Sequence, residues 1–164
     1  MAKKIPSLDL QGLPITYQME IPEDYLDAFG HMNVMWYTNL FGHAFGRFGR
    51  EFGFDIDYFR QHHRGSFALE SHMRYVAEVR VGWNVTIRSR AIGRSEKRFH
   101  FMHFMTVDET GKLAATQENI AAHIDMDTRR MSPIPPQICE RFDAVVARQN
   151  ALGWEAPVCG VMHP

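Results

Sequence analysis

The sequence of 164 residues predicts one α+β domain in which an antiparallel sheet wraps around a single long helix. One apolar segment has the spacing of a long helix, and four strand-like segments follow it in succession. Short turn signals separate these strands, which favours antiparallel neighbours. The length fits about one domain, which buries roughly 70% of its unfolded surface and needs neither a metal nor a disulfide to form a core.

The first predicted strand follows an N-terminal arm, residues 1–14. Apolar and polar residues alternate along 15–21, which is typical of a half-buried strand, and Pro22 stops it. We expect the folded domain to cover 15–130. A C-terminal helix and a loose tail are expected in 131–164.

The central helix is predicted to begin at Val34, behind Asn33 as its N-cap, and to end near Gly53. Its aromatic residues lie on more than one side, so we expect it to be largely enclosed. Glycines are tolerable in such a helix where another backbone comes close. They are Gly42, Gly46 and Gly49.

The sheet is completed after a short helical turn at 55–63. The predicted strands are 66–81, 84–93, 97–108 and 113–125. An amphipathic helix through Ile138 and Phe142 then runs to Gly153. Such a sheet leaves one face and an edge open, so we expect a homodimer, or a dimer of dimers, that buries them.

The composition excludes several classes of protein. Lys and Arg total 18 against 19 Asp and Glu, a net charge of −1 that offers no basic surface for nucleic acid. No apolar segment is long enough to span a membrane, and none follows the basic N-terminus as in a signal peptide. The two cysteines, Cys139 and Cys159, make no disulfide framework. We expect a cytoplasmic protein.

The nine histidines do not form a metal-binding pattern. His100 and His103 are three residues apart on a predicted strand, so their side chains point to opposite faces. His62 and His63 are adjacent, without a cysteine or acidic pair at zinc spacing. We therefore expect no metal site.

A carboxylate, Asp27, lies just ahead of the predicted helix start. The first turn of a helix has unpaired N–H groups and a partial positive charge, which bind an anion or polarise a carbonyl oxygen. A carboxylate beside such an end acts as a nucleophile or a general base. The same residues also suit an ordinary capped turn, and both interpretations stay open.

The segment 27–37 resembles the signature of hotdog-fold acyl-CoA thioesterases of the 4-hydroxybenzoyl-CoA thioesterase type. The matching residues are Asp27, Gly30, His31, Met32, Asn33 and Tyr37. The resemblance extends over about residues 15–125 and implies the hotdog fold. It also implies hydrolysis of an acyl-CoA at a subunit interface, without a cofactor or metal.

The resemblance implies a role for each residue at the matching positions. Asp27 is the expected catalytic carboxylate, and the backbone N–H of Val34 is expected to polarise the thioester carbonyl. His31 and Asn33 are expected to orient the carboxylate or a water molecule. Many members have a second Asp two residues before the catalytic one, where this chain has Tyr25.

Three further segments, 69–75, 96–101 and 113–118, resemble thioesterases linked to carnitine breakdown, which occur alone or fused to carnitine dehydrogenase. This narrower resemblance implies betainyl-CoA, whose quaternary ammonium binds to aromatic faces and negative charge. The expected substrate-binding residues are Gly30, Trp36, Tyr37, Phe41 and Glu70. Alternatively, these aromatic side chains simply belong to the core.

Lys97 and Arg98 are candidates for binding the phosphates of coenzyme A, although a solvated strand face is the alternative. Two other functions stay open. One is a 3-hydroxyacyl thioester dehydratase that uses His31 and Glu70. The other is a non-catalytic acyl-CoA-binding module. Release of free thiol, an enoyl absorbance, or binding without turnover distinguishes the three.

Overall fold

The computed structural model describes Ile5 and residues 8–164. It contains one antiparallel sheet with a long helix packed against its concave face, as the sequence predicts. The strands are β1 (Ile15–Glu20), β2 (Arg64–Tyr75), β3 (Asn84–Arg94), β4 (Arg98–Val107), β5 (Lys112–Asp125) and β6 (Arg130–Met131). The helices are α1 (Val34–Phe48), α2 (Ile56–His62) and α3 (Pro136–Asn150).

The strand order is β1-β3-β4-β5-β2, and every pair is antiparallel. The short strand β6, which sequence patterns did not predict, pairs with the end of β5. The strand β2 therefore lies at one edge of the sheet, and β1 lies at the other. In the chain, α1 and α2 lie between these two strands. No helix in the described part of the chain is long and apolar enough to span a membrane.

The predicted start of α1 is confirmed, since the Asn33 side chain accepts a hydrogen bond from the Met35 amide at 3.1 Å. The helix tightens at Gly49 into a 3₁₀ turn that ends at Gly53, which has a φ of 77°. A Cβ at Gly49 would collide with the carbonyl oxygen of Phe54, so this close approach requires glycine.

The expectation that α1 is enclosed on most sides is wrong for the protomer. One stripe is buried against the sheet: Tyr37, Leu40, Phe41, Ala44 and Phe48. The opposite side is exposed, including Val34 and Met35. Gly42 and Gly46 face open space, so no neighbouring backbone explains them. The aromatic residues are numerous, but the sheet covers only the side that faces it.

Two segments cover part of the convex face of the sheet, the described residues before β1 and those after α3. Leu10 and Leu13 pack there against Met102 and Phe104 of β4. Trp154 contacts the Phe104 ring edge-on at 5.8 Å between ring centres. The expectations of a loose C-terminal tail and a fully open sheet face are therefore wrong, because these apolar side chains cover the convex face over β4 within one protomer.

The arginine Arg90 fastens the C-terminal segment to β3. Its guanidinium lies 4.1 Å from the ring centre of Trp154 and donates to the Trp154 carbonyl at 2.7 Å. The N-terminal arm predicted at 1–14 lies partly outside the described residues. The domain boundaries at 15–130 and 131–164 stay predictions.

The predicted strand 66–81 ends early, at Tyr75. The amides of Val76 and Ala77 both donate to the Ala114 carbonyl, at 2.7 and 3.1 Å, so the chain leaves the regular ladder there. The other predicted long strands agree with β3, β4 and β5 within two residues. The amphipathic C-terminal helix is α3, which begins at Pro136 and ends three residues before the predicted Gly153.

Candidate active site

A tight loop between β1 and α1 carries the predicted catalytic turn. The Asp27 amide donates to the His31 carbonyl at 2.8 Å, and the Asn33 amide donates to the Tyr25 carbonyl at the same distance. These bonds fold the chain back on itself. The loop therefore returns the chain from Asp27 to the helix start within a few residues.

The loop is attached at two points to the segment that joins β2 and β3. The amide of Met32, whose side chain is buried, donates to the Val79 carbonyl at 2.9 Å. At the start of the loop, the Ile21 amide donates to the Trp83 carbonyl at 2.9 Å. Because both attachments are backbone hydrogen bonds, the segment before α1 is held in one position relative to the sheet.

The carboxylate of Asp27 is oriented by its own loop. Its Oδ1 accepts hydrogen bonds from the amides of Phe29 at 2.8 Å and His31 at 3.1 Å. These donors, His31 first and Phe29 second, lower the pKa of the Asp27 carboxyl below its usual value. Its Oδ2 accepts no hydrogen bond from the residues described, so an ionised oxygen stays available for chemistry.

Gly30 permits this turn because it has a φ of 80°, a conformation that other residues rarely adopt. The Asn33 side chain caps α1 through the Met35 amide, as predicted, and its role in orienting the carboxylate or a water molecule stays a prediction. The Val34 amide is one of the first-turn N–H groups that have no intrahelical acceptor. Val34 is also 60% exposed, so a ligand has access to this helix end.

His31 has a partner that the sequence did not indicate. Its Nε2 lies 2.8 Å from Oε2 of Glu78, in the segment between β2 and β3. Glu78 also accepts a hydrogen bond from Nε of Arg80 at 2.9 Å. No local spacing links these residues to the loop, because only the fold places the segment after β2 beside it.

Tyr37 lies behind the loop in the core and is only 4% exposed. Its ring meets Tyr75 edge-on at 5.1 Å between centres. Burial, followed by the nearby Tyr75, Asp27 and Glu78, raises the pKa of Tyr37 to about 12. The hydroxyl therefore stays protonated at neutral pH, within electrostatic range of the Asp27 carboxylate.

Trp36 and Phe41 belong with Tyr37 to one apolar cluster, whereas Glu70 is not part of it. Trp36 stacks on Tyr25 with 3.8 Å between ring centres, whereas Phe41 is buried and stacks on His103 at 5.7 Å. Glu70 is exposed on the edge strand β2 and pairs with Ile120. The His31 imidazole contacts Glu78 and not Glu70, the acid that the dehydratase alternative pairs with it.

A cavity of about 250 Å³ between α1 and the sheet was not predicted. Phe41, Phe45 and Phe101 contribute its apolar walls, and His103 lies beside them. His103 is fully buried, and burial lowers its pKa to about 3, so its imidazole is neutral. The strand pattern correctly predicted that His103 and His100 face opposite sides of the sheet, but the buried environment is a tertiary property.

Lys97 and Arg98 lie at the start of β4. The Lys97 carbonyl accepts the His123 amide at 2.9 Å. The loop with Asp27 lies at the other end of the sheet, beyond the ten residues of β4, a length of about 30 Å. These two basic residues and the carboxylate are therefore not brought together within one protomer.

Comparisons with known proteins agree with this architecture. Residues 22–142 match the Thioesterase-like superfamily. The chain belongs to this superfamily. Solved structures also confirm the hotdog fold for this thioesterase-like protein. A Staphylococcus aureus protein in complex with CoA has a TM-score of 0.77 at 22% identity, over 89% of this chain and 96% of that one.

A DHNA-CoA thioesterase from the same organism has a TM-score of 0.75 at 19% identity, over 85% of the thioesterase-like chain and 95% of its own. The betainyl-CoA thioesterase of Pseudomonas aeruginosa is 26% identical over 137 residues, which cover 84% of this chain and 86% of that protein.

The L-carnitine dehydrogenase/betainyl-CoA thioesterase of Ruegeria pomeroyi is 31% identical over 156 residues, or 93% of this thioesterase-like chain and 31% of that protein. The match covers 27% of the corresponding Agrobacterium fabrum protein. The chain therefore spans less than a third of these two longer relatives.

Proposed function

We propose that this protein hydrolyses an acyl-CoA thioester to a carboxylic acid and coenzyme A, with Asp27 as its catalytic residue. One observation carries the proposal. The Asp27 carboxylate is held through Oδ1 by two backbone amides, just ahead of the exposed start of α1. Its ionised Oδ2 is available, and the relatives with matching sequences are named thioesterases.

The start of α1 activates the thioester carbonyl in the proposed reaction. The thioester carbonyl oxygen accepts a hydrogen bond from the Val34 amide as negative charge develops on it. Backbone N–H groups at a helix N-terminus favour such a charge, because the helix dipole places partial positive charge there. Removing a donor of this kind typically costs a factor of about 10²–10³ in rate.

Asp27 can act in two ways, as a nucleophile or as a general base, and each route accounts for every atom and proton of the reaction. In the first, its Oδ2 attacks the carbonyl carbon, the C–S bond breaks, and coenzyme A leaves as the thiolate; water then hydrolyses the mixed anhydride. In the second, Asp27 takes a proton from water, and the hydroxide adds to the carbonyl before the thiolate leaves. Both routes end in a carboxylic acid and coenzyme A.

We also propose that the reaction uses no metal and no organic cofactor. Asp27 supplies a nucleophile or base, and the Val34 amide supplies the electrophilic contact. Together they provide the two elements that thioester hydrolysis requires. Coenzyme A takes part only as a portion of the substrate.

We propose betainyl-CoA, or another short acyl-CoA, as the substrate. The names of the relatives and the half-buried pair of Trp36 and Tyr25 near the loop support this choice. The test compares betainyl-CoA with the neutral thioester in which carbon replaces the quaternary nitrogen. A cation–π contact worth about 0.5–2 kcal/mol lowers KM for the charged substrate by about 2- to 30-fold. Equal kinetics for the two thioesters would exclude recognition of the cation.

We propose that two copies of the chain associate. The edge strand β2 is 12 residues long and has no neighbour on its outer side among the described residues. Five consecutive residues, 68–72, are exposed on it. Such an edge favours pairing with another strand. Lys97 and Arg98 are far from Asp27 in their own protomer. Association would allow them to bind the coenzyme A phosphates of a substrate held at the partner's Asp27.

Light scattering after size-exclusion chromatography tests this association. A mass of two or four times 19.0 kDa agrees with it, and a mass of 19.0 kDa contradicts it. We further propose a reducing, cytoplasmic location. The free thiols of Cys139 and Cys159 support this location.

A thiol-release assay with a panel of short, aromatic and betainyl thioesters tests the activity. Asp27→Asn should lower turnover by about 10²–10⁴-fold because it removes the base or nucleophile. Asp24→Asn, an exposed acid three residues earlier, is the matched control and should stay within about twofold of the original. Full activity of Asp27→Asn contradicts the proposal. An enoyl absorbance without thiol release would indicate a dehydratase, and binding without turnover would indicate a binding module.

A further inference from the structure

Three side chains of metal-binding types meet on the convex face of the sheet. They are His72 on β2, Glu118 on β5 and Cys159 in the C-terminal segment. One ligand atom from each lies within 4.8 Å of the other two. No sequence spacing predicts this group, because its members come from three distant segments.

The strand register and the C-terminal segment after α3 bring the three side chains together. His72 and Glu118 are directly opposite each other in the β2–β5 ladder. The C-terminal segment crosses above them, anchored by Trp154 on one side and the buried Met162 on the other. Both anchors hold the chain at Cys159 against the sheet.

The carboxylate of Glu118 is buried with no exposed surface, and both of its oxygens are held. His100 Nε2 donates to Oε1 at 2.8 Å, and the backbone amide of Cys159 donates to Oε2 at 2.7 Å. A buried carboxylate is stable only with such partners. The amide contact also places the Cys159 residue next to the carboxylate, so the group is preorganised.

The donor set is one of imidazole, carboxylate and thiol. Thiolate and imidazole ligands select Zn²⁺ and related transition metals, whereas Mg²⁺ and Ca²⁺ prefer oxygen ligands alone. Tetrahedral Zn²⁺ with bonds of 2.0–2.3 Å has ligand atoms about 3.3–3.8 Å apart. Closing the group by up to about 1.5 Å is sufficient, and the exposed side chain of His72 can supply that movement.

We propose that His72, Glu118 and Cys159 bind one Zn²⁺-type metal ion that joins the C-terminal segment to the sheet, with a water molecule as the fourth ligand. His100 is a positioning residue, because it holds the Glu118 carboxylate in the way that outer hydrogen-bond partners orient metal ligands. The site lies on the convex face, outside the proposed catalytic loop, and its role is structural.

The experiment titrates the chelator-treated full chain with Co²⁺, which reports a thiolate ligand through charge-transfer absorption in the near ultraviolet. We expect saturation at one Co²⁺ per chain and displacement by Zn²⁺. Cys159→Ser should abolish the band. Cys139→Ser, which changes the other thiol, should retain it. A band that is absent from the original chain, or that survives Cys159→Ser, overturns the proposal.

A second pair of variants tests the imidazole ligand. His72→Gln changes an exposed side chain and should weaken Co²⁺ binding at least tenfold, whereas His62→Gln, exposed on α2, should leave it unchanged. Equal affinities in the two variants overturn the proposal. Zn²⁺ should raise the melting temperature of the original chain and of His62→Gln but not of His72→Gln, since a ligand stabilises the state that binds it. A Zn²⁺ effect that His72→Gln retains contradicts the site.

Discussion

The imidazole Nε2 of His31 lies 2.8 Å from the carboxylate Oε2 of Glu78. This contact joins the loop before α1 to the segment between β2 and β3. It matters for chemistry because the backbone amide of His31 is also a donor to the Asp27 carboxylate. The pair therefore holds the residue that orients the proposed catalytic group.

Glu78→Gln tests this positioning role. Both partners are about two-fifths exposed, so their contact is worth about 0.2–1 kcal/mol and its loss should lower kcat by about 1.5- to 5-fold with KM nearly unchanged. Glu23→Gln, an exposed acid at the start of the same loop, is the control and should leave kcat unchanged. Steady-state kinetics of both variants give the answer. A kcat equal to that of the original chain removes Glu78 from the positioning network.

The low pKa of the Asp27 carboxyl predicts the acid limit of the activity. Because the pKa is lowered, the carboxylate stays ionised at every pH above the usual range near 3.9. The pH profile of kcat/KM should therefore have no acid-side decline between about pH 5 and 8. An acid-side decline centred near pH 6 would assign the essential base to another group.

The same pKa shift predicts a pH-dependent contribution to stability. A carboxyl whose folded pKa lies below its unfolded pKa stabilises the fold above the unfolded value, and this contribution is lost as the pH falls through the folded pKa. The stability difference between the original chain and Asp27→Asn should therefore shrink below about pH 3.9. Urea unfolding at several pH values measures it. A difference that grows as the pH falls contradicts the assigned direction.

Two glycines of the same helical segment should respond in opposite ways to alanine. Gly49→Ala should lower the free energy of unfolding by about 2 kcal/mol or more, because the added Cβ collides with the backbone of Phe54. Gly46→Ala meets open space on α1 and should raise stability by up to about 1 kcal/mol through helix propensity. Urea unfolding measures both. A stable Gly49→Ala protein would contradict the close backbone approach.

The C-terminal segment should contribute to the stability of the sheet. Trp154→Ala removes the contacts with Phe104 and Arg90 and should cost about 2 kcal/mol, less than for a fully buried tryptophan. Val161→Ala in the same segment, at an exposed position, should change stability by less than about 0.5 kcal/mol. Equal unfolding free energies for the two variants would show that the segment does not stabilise the fold.

The sequence by itself determined the elements and their type. The apolar spacing behind Asn33 predicted α1, and Gly53 ends the 3₁₀ turn that continues it, although the α-helix itself stops five residues earlier, at Phe48. Alternation and turn residues predicted the succession of β1 to β5, although β2 ends six residues earlier than predicted and β6 was missed. The motif from Asp27 to Tyr37 indicated the superfamily that the comparisons show. These are local signals, because capping, turns and periodicity depend on residues within a few positions of one another.

Only the tertiary structure decided which distant groups meet. It placed Glu78 beside His31, assembled His72, Glu118 and Cys159, and laid the C-terminal segment over a sheet face that was expected to be open. Strand register and packing of remote segments set these contacts. No local pattern encodes them, because the free energy that selects them arises from burying many side chains at once.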